Sequence, residues 1–360
     1  MKKVAHVFKS LSAGGIEKWL TDVAEVNVDR KVFEMEFLLQ SDKVGFFEKK
    51  VSFTSTRIKK LDLKKGYFKY LINLYKELKI NKYDVVHSHV HHFSGLILLI
   101  AFVAGVKVRV AHSHNDKRDE YSNVSLMKKI YFAICKILIL IFANRKIAVS
   151  DNAAKSLFPY SLKKTSILPC GLNLQVKSSE IAVDRIKHKK IIGHIGSFSP
   201  QKNHKFICQL AKDLNAKFPG IYELHLVGHG KLYQEVERII NSENLQHCIK
   251  LLGLRDDVKN LIINEFDIVI LPSLHEGLAM VALETQYYGK PLILSDRLSK
   301  QHTFSNYIEY ASINDTSDFI KKIIYTHEVN EVDIENCRNY LNKSPMSVFN
   351  NIAQLDSIYN

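Results

Sequence analysis

DIVILPSLHEGLAMVALETQYYGKPLILSD, residues 267–296, is the stretch whose reading decides the fold. Residues 267–271 are apolar and mostly β-branched and stop at Pro272, the pattern of a strand buried on both faces of a parallel sheet. Ser273 to Gly277 is a polar loop. From Leu278 the apolar residues Met280, Val281, Leu283, Tyr287 and Tyr288 fall at helical spacing, and Gly289 with Lys290-Pro291 ends the helix. A second strand follows at 291–294. Strand, loop, helix and strand make one parallel crossover unit, and its loop lies at a strand's carboxyl end, where open α/β sheets bind ligands.

Two carboxylates flank this segment. If helical, the eight residues from Glu276 to Glu284 would rise about 12 Å and turn roughly 80° past whole revolutions. They therefore share neither a proton nor a metal ion. They suit opposite ends of a long ligand, with an anionic group near the free amides after Gly277. Read without a ligand, both are ordinary solvated charges near a helix start.

The same alternation extends outward in both directions. In the first half, strands are predicted at 4–8, 33–39, 84–89, 106–111, 147–150 and 165–168. Helices are predicted from Ile16, over 67–80 and 93–103, and up to about Phe142. PCGLN (169–173) is rich in turn residues, and 175–190 is polar without periodicity, so the linker falls there. The second half restarts with strands at 191–195, 221–227 and 249–252 and helices at 204–218, 231–241 and near Val258. About 50 residues with weak strand signals precede a last helix at 346–359. The expected architecture is α/β, with two doubly wound Rossmann-like domains at 1–172 and 173–345.

The 360 residues leave room for two cores. Five widely spaced cysteines without a C-x-x-C imply reduced thiols in the cytoplasm. MKKVAHVFKS reads as a first strand, not a signal peptide, and no apolar run reaches the roughly 20 residues a membrane span needs. Charge is divided unevenly: residues 1–186 carry net +15 and residues 187–360 carry −1. An anionic partner on the N-terminal side follows. No zinc finger, helix-turn-helix spacing or RNA-binding aromatic signature accompanies that charge, so an anionic membrane surface suits it better than nucleic acid.

Histidines cluster at His87, His89, His91, His92, His112 and His114. On a strand, H-x-H places both rings on one face at metal-ligand spacing, which admits a metal-dependent hydrolase as a rival reading. No further carboxylate at a strand end completes such a set, and Glu276, Glu284 and Lys202 would go unused.

Five runs in order give a more specific reading: AGGIEKWL (13–20), IGSFSPQKNHKF (195–206), LVGHGKL (226–232), IKLLG (249–253) and the opening stretch with its Glu-x7-Glu. Together they resemble glycosyltransferase family 4, the retaining nucleotide-sugar enzymes of GT-B fold, over nearly the whole chain. AHSHN (111–115), SPQKNH (199–204) and the EGL-x-x-V-x-x-E-x-Q run (276–286) together resemble most the subgroup building bacterial capsular and exopolysaccharides. The resemblance implies two domains facing a central cleft, with the 346–360 helix returning to the first. It implies transfer of a sugar from a nucleotide-diphosphate sugar, with UDP expected, to a lipid-linked saccharide at the inner face of the cell membrane, without a metal cofactor. A family member that only binds saccharide or membrane, without catalysis, is the alternative.

Residue by residue, the resemblance places Gly14 and Gly15 at the donor phosphates and Gly228 beside the nucleotide base. Glu276 falls beside the donor sugar, Gly277 and Leu278 offer amides to sugar and phosphate, and Glu284 holds the ribose. His114, with His112 as the alternative, faces the donor sugar and acceptor. A diphosphate leaving group needs fixed positive charge. Lys202 matches the family's lysine, but Ser197 stands at its arginine position, which halves that charge. Ala279 replaces a usual proline, a small change because proline only pre-sets the first helical turn. No D-x-D occurs, so the metal-chelating route of the other large glycosyltransferase class is not expected.

Overall fold

Residues 1–118, 124–176, 189–300 and 303–360 are described by a computed structural model. They form two units, Met1–Asn173 with Ser344–Asn360, and Leu174–Lys343. The sequence reading put these divisions at 172/173 and 345/346, and most of its expected linker lies outside the described residues.

The first unit holds seven parallel strands: β1 (Lys3–Phe8), β2 (Glu34–Leu39), β3 (Arg57–Lys60), β4 (Val85–Ser88), β5 (Val108–Ser113), β6 (Arg145–Ala148) and β7 (Ser166–Ile167). Their spatial order is β3-β2-β1-β4-β5-β6-β7. The connecting helices include α1 (Gly15–Arg30), α2 (Tyr67–Asn81), α3 (Ser94–Val103) and α4 (Leu126–Phe142). The second unit holds β8 (Lys190–Ile195), β9 (Tyr222–Val227), β10 (Ile249–Gly253), β11 (Ile268–Leu271), β12 (Leu292–Ser295) and β13 (Ile308–Ala311) in the order β10-β9-β8-β11-β12-β13. Both sheets reverse their winding beside their first strand, between β1 and β4 and between β8 and β11. These are the switch points where such sheets open a ligand crevice.

Strands β3 and β13 had no clear sequence signal. Both are edge strands, where one neighbour and a solvated side relax the apolar demand: β3 reads RIKK and alternates exposed with half-buried. Strand β5 begins two residues later than predicted. The amide of Val106 still bonds the Ala101 carbonyl at 2.9 Å and Gly105 has φ +86°, so the turn closing α3 consumes those residues. The shift brings His112 inside the strand. Strand β4 ends one residue early, although the His89 amide still reaches the Val7 carbonyl at 2.9 Å.

The last helix, Val348–Tyr359, here α5, packs on α1 in the first unit. Its buried Asn351 accepts from Trp19 Nε1 at 2.8 Å and donates to the Pro169 carbonyl at 2.8 Å. Gly171 permits that approach, since a Cβ there would lie 2.6 Å from Asn351 Cβ. Asn351→Leu should leave the Trp19 N–H and the Pro169 carbonyl buried and unpaired, at about 1–3 kcal/mol for each. Denaturant unfolding followed through Trp19, the chain's single tryptophan, measures the loss. An unchanged midpoint would mean that the asparagine ties nothing down.

Candidate active site

In the second unit, the loops after β8 and β11 leave the sheet side by side at its switch point. Residues 200–202 form a short 3-10 turn, and Asn203 follows in the left-handed region at φ 57°. Asn203 donates to the Pro272 carbonyl at 3.3 Å, and the Leu274 amide donates to the Gln201 carbonyl at 2.8 Å, which stitches the two loops together. Gln201 Nε2 spans the His275 carbonyl at 2.8 Å and Glu276 Oε2 at 3.0 Å. Lys202 Nζ lies 2.5 Å from Glu276 Oε1, with the two side chains 14% and 8% exposed. The aliphatic stem of Lys202 lies over Gly196, where a Cβ would come within 3.1 Å of it. Gly228 in turn has φ 137°, and a Cβ there would stand 2.0 Å from the Gly196 carbonyl oxygen. A side chain at 228 would therefore push the lysine's platform out of place.

Gly277 is buried, Leu278 is half-buried, and the helix after them spans Met280–Tyr287, with Ala279 as its extended N-cap at φ −79°, ψ 91°. The helix starts two residues later than the spacing suggested. Glu276 is consequently a loop residue, and the helical rise calculated between the two glutamates does not apply. Glu284 sits in the helix and is buried. Ser197 is exposed, its hydroxyl 3.3 Å from that of Ser199. Sequence reasoning passed over Gln201, which the adjacent Lys202 could have flagged. It also passed over Ser273, whose buried hydroxyl has no hydrogen-bond partner among the described residues.

In the first unit, Gly14 is the extended N-cap of α1, which opens at Gly15. The Glu17 carboxylate folds back over Gly14, with Oε2 where it would be 2.4 Å from an added Cβ. Burial raises this carboxyl to about 7, against its own backbone amide and Lys9. No sequence signal distinguished Glu17 from an ordinary first-turn acid.

Beside α1 the histidines from three neighbouring strands join end to end. Cys170 Sγ lies 3.6 Å from His114 Nδ1, and His114 Nε2 is 2.9 Å from His89 Nδ1. His89 Nε2 is 3.0 Å from His6 Nδ1, and His6 Nε2 is 3.5 Å from the Tyr359 hydroxyl. That hydroxyl is 2.8 Å from His87 Nδ1, and His87 Nε2 is 3.1 Å from His112 Nδ1. Trp19 presents its ring to four of the imidazoles, nearest at 5.3 Å to His112. Two sets, His6/His87/His89 and His89/His112/His114, could offer a metal one ligand atom each within 4.8 Å. The close contacts also run pairwise along a string.

Comparison with known proteins resolves the family. The model for glycosyl transferases group 1 matches residues 177–338, and that for Glycosyltransferase Family 4 matches 13–176. The chain belongs to glycosyltransferase family 4. Among its relatives, EpsF of Bacillus subtilis (strain 168) is 28% identical over 83% of this chain and 80% of its own. The UDP-Gal:alpha-D-GlcNAc-diphosphoundecaprenol alpha-1,3-galactosyltransferase of Escherichia coli is 29% identical over 81% and 78%. CapH of Staphylococcus aureus, a capsular polysaccharide biosynthesis glycosyltransferase, is 27% identical over 87% and 86%. The crystal structure of HepE from Anabaena in complex with UDP-glucose has a TM-score of 0.78 at 18% identity, covering 99% of this chain and 98% of that one. The fold is GT-B.

In this glycosyltransferase, Lys202 and Glu276 neutralise each other. A diphosphate binding beside Lys202 would compete with the carboxylate for the ammonium, which would offset part of its attraction. Glu276→Gln should release Lys202 and tighten UDP binding by about 1 kcal/mol, roughly fivefold, while lowering turnover. Calorimetry with UDP, set beside Lys202→Ala, checks this. Weaker binding in the glutamine variant would show that the phosphate does not use Lys202.

The histidine string has a chemical consequence of its own. Each ring turns Nδ1 toward the Cys170 end of the string and Nε2 away from it, so neutral rings satisfy all links only if His114, His89 and His6 share one tautomer and His87 and His112 share one, the Tyr359 hydroxyl joining the two groups. Burial, reinforced by mutual repulsion in His87, His89 and His112, drives the imidazoles neutral; His6 and His114 fall to about 3. The unfolded chain takes up protons below about pH 6.5 and the native unit does not. Stability is therefore lost as pH falls, by about 1.4 kcal/mol per histidine one pH unit below that value. Five such losses rival a typical domain's whole stability. The first unit should unfold near pH 5 to 5.5, read through Trp19, and ring-nitrogen NMR at neutral pH should show one tautomer shared by His114, His89 and His6 and one shared by His87 and His112. Mixed tautomers within either group would rule out the continuous string.

Proposed function

We propose that this enzyme is a retaining glycosyltransferase that moves a sugar from a UDP-sugar to a lipid-linked saccharide in the assembly of a surface polysaccharide. The observation that carries the reading is the Lys202–Glu276 pair at the switch point of the second unit, with Glu284 buried in the helix that follows. The E. coli relative is named for a UDP-galactose donor and a diphosphoundecaprenol-linked acceptor, and HepE was solved with UDP-glucose.

In this reading Glu284 takes the ribose hydroxyls. Lys202 turns from Glu276 to the diphosphate, and the amides after Gly277 take up charge that develops as the glycosidic bond breaks. Glu276, relieved of its counter-ion, meets the sugar, with Gln201 holding its second oxygen. The chemistry uses no resident metal. The departing phosphate itself accepts the proton of the attacking hydroxyl, so the new bond forms on the face from which the old one leaves and configuration is retained. Ser197 adds a hydroxyl where a guanidinium would add charge, which throws more of the load on the amides. His114, 7% exposed against 0% for His112, is the histidine we assign to the sugar. The basic first half holds the protein to the anionic membrane surface where a lipid-linked acceptor resides. Among the described residues, no helix is long and apolar enough to cross that membrane.

A thermal-shift panel of nucleotide sugars tests the donor: the right one at a hundred times its dissociation constant should stabilise by about 2.7 kcal/mol. Glu284→Ala should cost about 1.5–3 kcal/mol of UDP affinity. NMR of the product should show the anomeric configuration of the donor. A protein that shifts with no nucleotide sugar, or an inverted product, would end this assignment.

A further inference from the structure

The 17-residue helix α4, Leu126–Phe142, is out of place as a water-facing element. Only Cys135 and Ile139 of its residues are buried. They face α3, where Gly95 lets the helix backbone in: a Cβ at 95 would lie 2.5 Å from the Cys135 carbonyl oxygen. On the opposite side Met127, Ile130, Ile134, Ile137 and Ile141 are 75%, 47%, 51%, 52% and 62% exposed. Their spacing of three and four residues lines them up in one stripe. The patch continues at the end of α3, where Phe102 is 52% exposed and packs 5.2 Å from Phe142. A monomer in water rarely leaves so long an apolar face bare.

Charge identifies what covers it. Neither α3 nor α4 contains an acidic residue, while Lys128, Lys129 and Lys136 lie on α4 itself. At 100° per residue, Lys129 and Lys136 fall along one flank of the stripe, so their stems can cover apolar surface while their ammonium groups stay in the headgroup layer. A second copy of the chain would bring the same +15 half against itself. An anionic bilayer satisfies the stripe and the lysines together. Three lysines along the helix, and its length of about 25 Å, exclude a transmembrane placement and fit one parallel to the surface.

We propose that α4 lies in the plane of an anionic membrane with the Met127–Ile141 stripe inserted among the acyl chains, so that apolar insertion and lysine attraction act jointly. This deepens the membrane-surface part of the function proposed above and rests on it. A purely electrostatic hold would vanish in salt, whereas an inserted stripe persists.

Co-sedimentation of the full chain with phosphatidylcholine vesicles, with and without phosphatidylserine, at low and high salt, tests the proposal. The wild type should bind anionic vesicles best and keep measurable binding in high salt. Ile134→Glu/Ile137→Glu should weaken binding at least about tenfold under both conditions. Lys129→Gln/Lys136→Gln should lose the preference for phosphatidylserine and keep the salt-resistant part. Trp19 fluorescence and the UDP thermal shift, unchanged in both variants, show that the fold and donor site are intact. Glutamate variants that bind like the wild type would overturn the insertion, and so would a wild type that ignores vesicles and sediments as a dimer through this face. If UDP fails to bind while α4-dependent vesicle binding holds, the enzyme assignment falls and the membrane helix stands. The converse result separates them the other way.

Discussion

Parallel pairing makes every strand of a sheet end along the same edge, and the reversal of winding beside the first strand opens that edge at one place. Each sheet here obeys this constraint, and the chemistry collects accordingly. In the second unit the loops after β8 and β11 deliver Lys202 and Glu276 to within bonding distance although 74 residues separate them. In the first, β1, β4 and β5 deliver five histidines whose sequence positions span more than a hundred residues. Helix packing, the glycine contacts at 196 and 228, and the Asn203–Pro272 stitch all serve to hold those strand ends in place.

The two units treat polarity in opposite ways. The second keeps a formal ion pair, partly shielded and cross-braced by Gln201, so its charges stay available to a ligand able to outbid one partner. The first excludes charge from its histidine string. Its imidazoles remain neutral under burial and satisfy one another through directional hydrogen bonds, sealed by Trp19 and Tyr359. Such a network specifies one arrangement of rings more tightly than an apolar core would, and it depends on each member being present.

Much of the architecture was legible because alternating apolar strands and amphipathic helices carry strong periodic signals. Residues 267–296 and the glycine-containing loops mark the second-unit residues as lying at strand ends. What escaped detection was short or non-local. Strands β3 and β13 lie at edges and carry charged or mixed residues, so nothing in their composition demands a sheet. Gln201 braces Glu276, which lies 75 residues along the chain. His6 is one ordinary residue in a first strand until β4 sets His87 beside it in register. The pairing of Lys202 with Glu276, two residues expected to grip different parts of a ligand, is a property of tertiary structure that no local pattern encodes.

The contact between Trp19 and Asn351 joins positions 332 residues apart. During synthesis, the first sheet leaves the ribosome long before its closing helix exists. Until Asn351 and Tyr359 emerge, the indole N–H, the Pro169 carbonyl and two imidazole nitrogens lack their native partners. The second unit, wholly contained between them in the chain, can reach its native state earlier. The order of completion is thus the reverse of the order of translation. In that interval the nascent first unit is a natural client for chaperones, and a stop codon shortly before residue 351 would spare the second unit while stranding the first.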